Sequence, residues 1–218
     1  MKMTVRAVLF LVAALVASVA SAQTAQEGCQ FETVAASAGD DPVSSGITGT
    51  VWLKCGTRQL NIAVQHEQGW ILYGKEFKVG KVRGVFAGFI GHFQGAPQGG
   101  LYLTLDAPLG KIAGQEVAVG TLQWPGAFLW EPKGSKEDGI PNPERLNSAF
   151  LSNFSLSIGP IGLEYSWLNF LDEPWNRIPG VSYTQKVRKD FSVRVSMGYN
   201  TNGGKWLPCI RATWSPGS

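Results

Sequence analysis

Two histidines, His66 and His92, are the only ones in the chain, so histidine-based catalysis would depend on one of them. A nucleophilic hydrolase needs such a base within hydrogen-bond reach of a serine hydroxyl. Neither histidine has a serine two residues later, and no Gly-x-Ser-x-Gly segment, which would expose a serine on a sharp turn, occurs in the sequence. Lipid hydrolysis by His66 or His92 would require a distant serine and is the weakest functional alternative.

Metal and cofactor chemistry has little support in the residue pattern. Two adjacent acidic pairs, Asp40-Asp41 and Glu137-Asp138, lie in predicted loops, where carboxylates are ordinarily solvated. The cysteine spacings match no zinc pattern, and the glycines fall singly along predicted strands rather than before a helix that could bind phosphate. We therefore expect neither a metal nor a cofactor.

Three charged residues in the second half of the chain form the one group of side chains for which the sequence suggests a role. Glu164 and Arg194 lie on the polar faces of two strands that are predicted to lie near one another. Lys186 lies on the same face of the strand between them. Inside a barrel these charges would meet in the lumen, where buried charges must be paired. The pattern favours an ion-pair network that holds the lumen shut, and a constriction that selects charged solutes is the alternative.

The composition excludes several classes of protein. Of 218 residues, 44% are hydrophobic and only 16% are charged, whereas soluble domains carry about 25% charged residues. Disorder requires low hydrophobicity and high net charge, and the formal charge here is +3. Because the basic residues are also scattered, we expect no nucleic-acid partner.

The N-terminus has the pattern of a secretory signal peptide over residues 1–22. Lys2 and Arg6 precede an apolar core at Ala7–Val19, and Ala20-Ser21-Ala22 supplies a small-residue cleavage site. That core is shorter than the roughly 20 residues that span a bilayer as a helix. The sequence predicts export and a single domain over residues 23–218.

Three cysteines remain after the predicted signal: Cys29, Cys55 and Cys209. Disulfides are permitted in exported proteins, and three cysteines allow three pairings. We predict a Cys29–Cys55 bridge because a local bridge would hold the N-terminal arm in place.

Period-two alternation of apolar and polar residues predicts an all-β domain. The clearest run has Phe191, Val193, Val195, Met197 and Tyr199 on one face, opposite serine, arginine and glycine. The other strands predicted in the second half are Phe150–Ile158, Ile161–Trp167, Val181–Val187 and Lys205–Trp214. Those predicted in the first half are Gln30–Ala35, Ile47–Lys54, Leu60–Gln65, Trp70–Val79, Val82–Phe93, Leu101–Leu105 and Lys111–Trp124, with a turn at Asp106–Gly110.

The polar faces favour an outer-membrane β-barrel over a β-sandwich. A water-facing sheet can carry Lys and Glu, whereas the crowded lumen of a small barrel suits small polar residues. The predicted polar faces are dominated by small residues, among them Ser155, Ser157, Ser192, Ser196 and Gly198. Aromatic residues near strand ends match the interfacial girdles of such barrels: Trp167, Phe170, Tyr199, Trp206 and Trp214.

Loop lengths agree with a barrel, because long and short connections alternate along the chain and outer-membrane barrels have this pattern. The prediction is an antiparallel up-and-down barrel of about twelve strands, within a range of eight to twelve, because such barrels have an even number of strands. Its first strand, Gln30–Ala35, is needed to make the count even.

We therefore expect an integral outer-membrane protein in contact with lipid, serving as a narrow porin-like channel or in a structural, surface-exposed role. A periplasmic β-sandwich that binds a ligand or protein, and an outer-membrane lipid hydrolase, are the alternatives. The sequence leaves the solute and the oligomeric state open.

Overall fold

Alternating apolar and polar residues form twelve β-strands in the computed structural model, which describes residues 29–40, 45–65, 68–93, 96–128, 147–170 and 175–216. The strands are β1 (Cys29–Asp40), β2 (Ser45–Cys55), β3 (Arg58–Gln65), β4 (Gln68–Val79), β5 (Val82–Phe93), β6 (Ala96–Ile112), β7 (Gln115–Phe128), β8 (Asn147–Ile158), β9 (Ile161–Phe170), β10 (Asn176–Arg188), β11 (Phe191–Asn200) and β12 (Lys205–Trp214). No helix in the described residues is long and apolar enough to cross a membrane.

The strands form one closed antiparallel barrel in which each pairs with its neighbours in sequence. Closure depends on β1 and β12, which pair from Val34 with Trp214 to Gly39 with Cys209. The twelve-stranded barrel is confirmed, and the β-sandwich is excluded because all twelve described strands belong to this single ring. β1 extends to Asp40, further than the predicted Gln30–Ala35, since pairing with both β2 and β12 stabilises its second half.

The connections differ between the two ends of the barrel. At the end where β1 begins and β12 ends, here called the short-turn end, every connection has two residues: Gly56-Thr57, Gly80-Lys81, Ala113-Gly114, Gly159-Pro160 and Lys189-Asp190. Every connection longer than two residues lies at the opposite, long-loop end. Most of the predicted Pro125–Ala149 loop, residues 129–146, lies outside the described residues.

The predicted turn at Asp106–Gly110 is wrong. Strand β6 continues to Ile112, and the chain reverses at Ala113 and Gly114, which have φ angles of 49° and 78°. Proline and glycine favour turns, but they are also the residues found at β-bulges. The pairing of β6 with β7 shifts register between Pro108 and Gly110, so a bulge accommodates both residues within the strand.

The outer face of the barrel is apolar and the inner face is mixed. Large hydrophobic side chains with about half or more of their surface exposed project outward on most strands: Ile71, Tyr73, Phe86, Ile90, Leu101, Phe154, Leu163, Val181, Val195 and Ile210. The buried cluster lies inside the barrel, with Leu72, Ala87 and Phe89 at its centre. The exposed apolar residues are therefore on the outside and the packed core is in the lumen.

Candidate functional site: the barrel lumen

Small polar residues line the half of the lumen formed by β8 to β12. Because side chains alternate across a strand, every second residue faces inward. Asn153 on β8 donates a hydrogen bond from Nδ2 to Ser166 Oγ on β9 at 2.8 Å, and Ser166 and Ser182 are buried. Small side chains leave space on this side of the lumen, as the sequence predicts for an interior-facing row.

An ion pair joins two of the three charged residues that the sequence singled out. Arg194 on β11 donates from Nη2 to Glu164 Oε1 on β9, across the intervening strand β10. Ser182 on β10 donates to the same carboxylate oxygen at 2.7 Å. Both charged side chains are partly buried, so solvent screens this pair less than a pair on the surface.

Lys186 is not part of this contact. It lies on β10 between β9 and β11, on the same face as Thr184, which pairs in register with Arg194. Lys186 itself pairs with Ser192, closer to the short-turn end, and its side chain is exposed. Within the described residues no contact links Lys186 to Glu164 or Arg194, and the Ser182 hydroxyl on the same strand contacts Glu164 instead.

A second arginine that the sequence did not single out faces the same space. Arg211 on β12 is the direct register partner of Arg194 on β11, so both side chains are on the inner face. Together with Glu164 they line a cavity of about 220 Å³ within the barrel. The cavity wall therefore carries two guanidinium groups and two carboxylates, Glu164 and Asp40.

The opposite half of the lumen is filled by aromatic side chains. Trp124 on β7 packs against the rings of Trp70, Phe89 and Tyr102 with centroid distances of 5.0, 5.2 and 5.9 Å, all close to edge-to-face. Trp52 on β2 extends the cluster through Tyr102 at 6.2 Å. These inward aromatic residues occupy their side of the lumen. The remaining space is the cavity beside the small polar residues of β8 to β12. The sequence indicated this cluster in one segment of β5, Gly84–Gly91, which is apolar on both faces.

The predicted disulfide is confirmed. Cys29 and Cys55 are register partners at the short-turn end of β1 and β2, and their sulfur atoms are bonded. Cys209 is not part of this disulfide and is buried on the inner face of β12 opposite Ser196. The bridge holds the first residue of β1 against the last residue of β2.

The remaining candidate residues do not assemble a catalytic group in the described residues. His92 is exposed at the end of β5, on the outer face, and no serine hydroxyl or carboxylate there hydrogen-bonds to its imidazole. His66, Asp41, Glu137 and Asp138 lie outside the described residues. Asp40 forms an ion pair with Lys205 at 3.0 Å. In this part of the chain no group of three or more His, Cys, Asp or Glu residues could hold a metal.

Comparison with known proteins shows that this chain is similar in fold to solved barrel structures. No protein-family model matches this chain. No curated protein sequence matches it either. Two structures of the KdgM porin are similar over 85% of this chain and 99% of theirs, at 10% and 9% identity and TM-scores of 0.54 and 0.52. The first is described as a complex with disordered oligogalacturonate. The outer membrane protein Omp33 of Acinetobacter baumannii is similar over 86% of this chain and 98% of its own, at 11% identity and a TM-score of 0.46. This chain thus has the closed-barrel fold found in the KdgM porin.

Proposed function

We propose that this protein is an outer-membrane barrel that works as a narrow channel for small anionic solutes. The observation that carries the proposal is the lumen cavity, where Arg194 and Arg211 lie side by side. The two carboxylates of this cavity, Glu164 and Asp40, are both held in ion pairs with basic side chains. A channel selects ions through the charged side chains that line its narrowest part.

The outer face supports a membrane setting. Side chains such as Ile90, Leu163 and Val195 are 69%, 51% and 53% exposed, and burial of such surface in lipid removes it from water. Tyr199 and Trp206 pack together at 4.9 Å beside the long-loop end, where an aromatic girdle would meet the membrane interface. Export through the signal peptide predicted for residues 1–22 completes this proposal, with the short-turn end in the periplasm.

The placement of basic residues in register pairs on the inner face supports a preference for anions. In addition to the two lumen arginines, Lys78 and Arg83 are register partners on the inner face near the short-turn end. Two pairs of basic residues therefore lie along the path through the barrel, with the inward-facing carboxylates Asp106, the register partner of Arg83 on β6, and Glu76, which pairs with Lys54. The complex of KdgM with oligogalacturonate, an oligomer of an acidic sugar, agrees with an anionic solute.

The test is the reversal potential of the purified barrel in a planar bilayer under a gradient of potassium chloride. The wild-type protein should give a potential of the sign that chloride selectivity produces. The double variant Arg194→Gln, Arg211→Gln should move this potential toward zero. Arg177→Gln is the matched control, because Arg177 is an exposed arginine whose register partner, Trp167, is on the outer face. An unchanged potential in the double variant would refute selection by the cavity arginines.

A closed barrel with a structural, surface-exposed role is the second candidate. The observation in its favour is the aromatic cluster around Trp124, which fills half of the lumen. This role predicts no conductance for the wild-type protein in the same bilayer. Measurable single channels in the wild type would exclude it.

A further inference from the structure

Two basic residues on the outer face lie directly opposite each other. Arg58, the first residue of β3, pairs in register with Lys75 on β4, and both side chains are exposed. Side chains of such antiparallel partners stand about 5 Å apart at Cβ, and like charges in this position repel. The pair therefore costs folding free energy unless something anionic lies over it.

The protein itself provides no such group in the described residues. No carboxylate forms an ion pair with Arg58 or Lys75, and the neighbouring Glu76 faces inward, where it pairs with Lys54. The polar neighbour on this face is Tyr73, whose hydroxyl accepts a hydrogen bond from Arg58 Nη1 at 2.9 Å. This contact orients the guanidinium and leaves its charge uncompensated.

Exposed apolar side chains lie beside the pair toward the middle of the barrel. Phe86 on β5 is the register partner of Lys75 and is 52% exposed, and Ile71, two residues before Tyr73 on β4, is 49% exposed. On the other side, Arg58 directly follows the two-residue turn between β2 and β3. Arg58 thus lies at the border between the apolar outer face and the short-turn end of the β2–β3 hairpin, whereas β4 continues past Lys75 to the exposed Val79.

We infer that Arg58, Lys75 and Tyr73 form a site for the phosphate group of an anionic phospholipid, whose acyl chains lie along Ile71 and Phe86. The inference rests on the membrane setting proposed above, in which this border is the periplasmic interface. Charge complementarity identifies the headgroup, since two unneutralised cations bind a phosphodiester, and a guanidinium can donate two hydrogen bonds to it. The exposed apolar side chains identify the ligand as a lipid rather than a free anion.

The test is native mass spectrometry of the purified full-length barrel in neutral detergent, titrated with phosphatidylglycerol, with phosphatidylcholine or with inorganic phosphate. Phosphatidylglycerol should bind in preference to phosphatidylcholine. Arg58→Gln and Lys75→Gln should each weaken its apparent affinity about fivefold, because each removes one cation from the membrane surface. The charge-conserving variants Arg58→Lys and Lys75→Arg should retain most of the preference. Lys81→Gln, in the adjacent turn between β4 and β5, is the control and should change nothing.

Three results would overturn this site. The first is equal binding of phosphatidylglycerol and phosphatidylcholine by the wild type. The second is an affinity for phosphatidylglycerol in the double variant Arg58→Gln, Lys75→Gln that equals the wild-type affinity. The third is competition by inorganic phosphate as effective as that by phosphatidylglycerol. Electrophoretic mobility before and after heating shows that each variant is folded. Channel conductance is measured separately: lipid preference in a non-conducting barrel would count against the channel alone, and a conducting barrel without lipid preference would count against this site alone.

Discussion

Glu164 on β9 pairs with Arg194 on β11, 30 residues later in the chain, by reaching across the inner face of β10. This contact is made where Arg194 also lies beside Arg211 on β12. The Glu164 carboxylate therefore compensates the charge of Arg194 at the point where the barrel register places two guanidinium groups next to each other. We expect both the stability of the barrel and the field in its cavity to depend on this carboxylate.

Replacement of Glu164 by glutamine should lower stability and strengthen anion selectivity. The variant keeps the side-chain size but removes the carboxylate that pairs with Arg194 next to Arg211. We expect a loss of about 1–2 kcal/mol in the free energy of unfolding, because the pair is partly buried and its hydrogen bond is charge-assisted. Urea unfolding in detergent measures the first effect and the reversal potential the second. If both measurements equal those of the wild type, Glu164 has neither role.

Removal of the Trp124 side chain should widen the lumen. Trp124→Ala deletes the ring that contacts Trp70, Phe89 and Tyr102, so single-channel conductance should rise. The cavity left behind should cost about 3–5 kcal/mol of stability, as tryptophan-to-alanine changes in packed cores do. Trp206→Ala is the control, because that ring is 61% exposed on the outer face. Equal conductance in both variants would contradict a bore limited by the aromatic cluster.

Loss of the disulfide should destabilise the barrel without altering its conductance. Cys29→Ser removes a bridge between residues 26 apart, and disulfides typically contribute about 2–4 kcal/mol by restricting the unfolded chain. The unfolding midpoint in urea should fall, and reducing agent should lower the wild-type midpoint to the same value. Cys209→Ser keeps the bridge, so its midpoint should remain sensitive to reducing agent. Insensitivity of the wild type to reduction would show that the bridge does not form.

A charge on the outer face tests the membrane setting. Leu163→Arg introduces a cation on an exposed position of β9 whose register partners are Val181 and Leu156. In a bilayer an arginine near the midplane should cost about 2–4 kcal/mol, whereas exposed positions in water change stability by about 0.5 kcal/mol or less. Gln185→Arg, near the short-turn end, should cost much less. Refolding yield and urea unfolding in lipid vesicles compare the two, and equal small effects would contradict the membrane setting.

Much of the fold was predictable because it depends on local pattern. The alternation in β8 to β12 reports directly which face each residue occupies, and small polar residues there predicted the lumen wall. The Cys29–Cys55 bridge was predictable from proximity in sequence. The β6–β7 hairpin was not predictable, because proline and glycine occur both in turns and at β-bulges. Pro108 and Gly110 therefore do not distinguish the two structures in the sequence.

The sequence by itself determined the strand pattern, the apolar outer face and the small polar residues of the inner face, since these follow from the two-residue period of a strand. Only the tertiary structure decided which residues meet across strands. The register between β11 and β12 places Arg211 beside Arg194. Closure of the ring brings Trp70, Phe89 and Trp124 from β4, β5 and β7 into one cluster. Register and closure depend on contacts between residues far apart in sequence, and no local periodicity encodes those contacts.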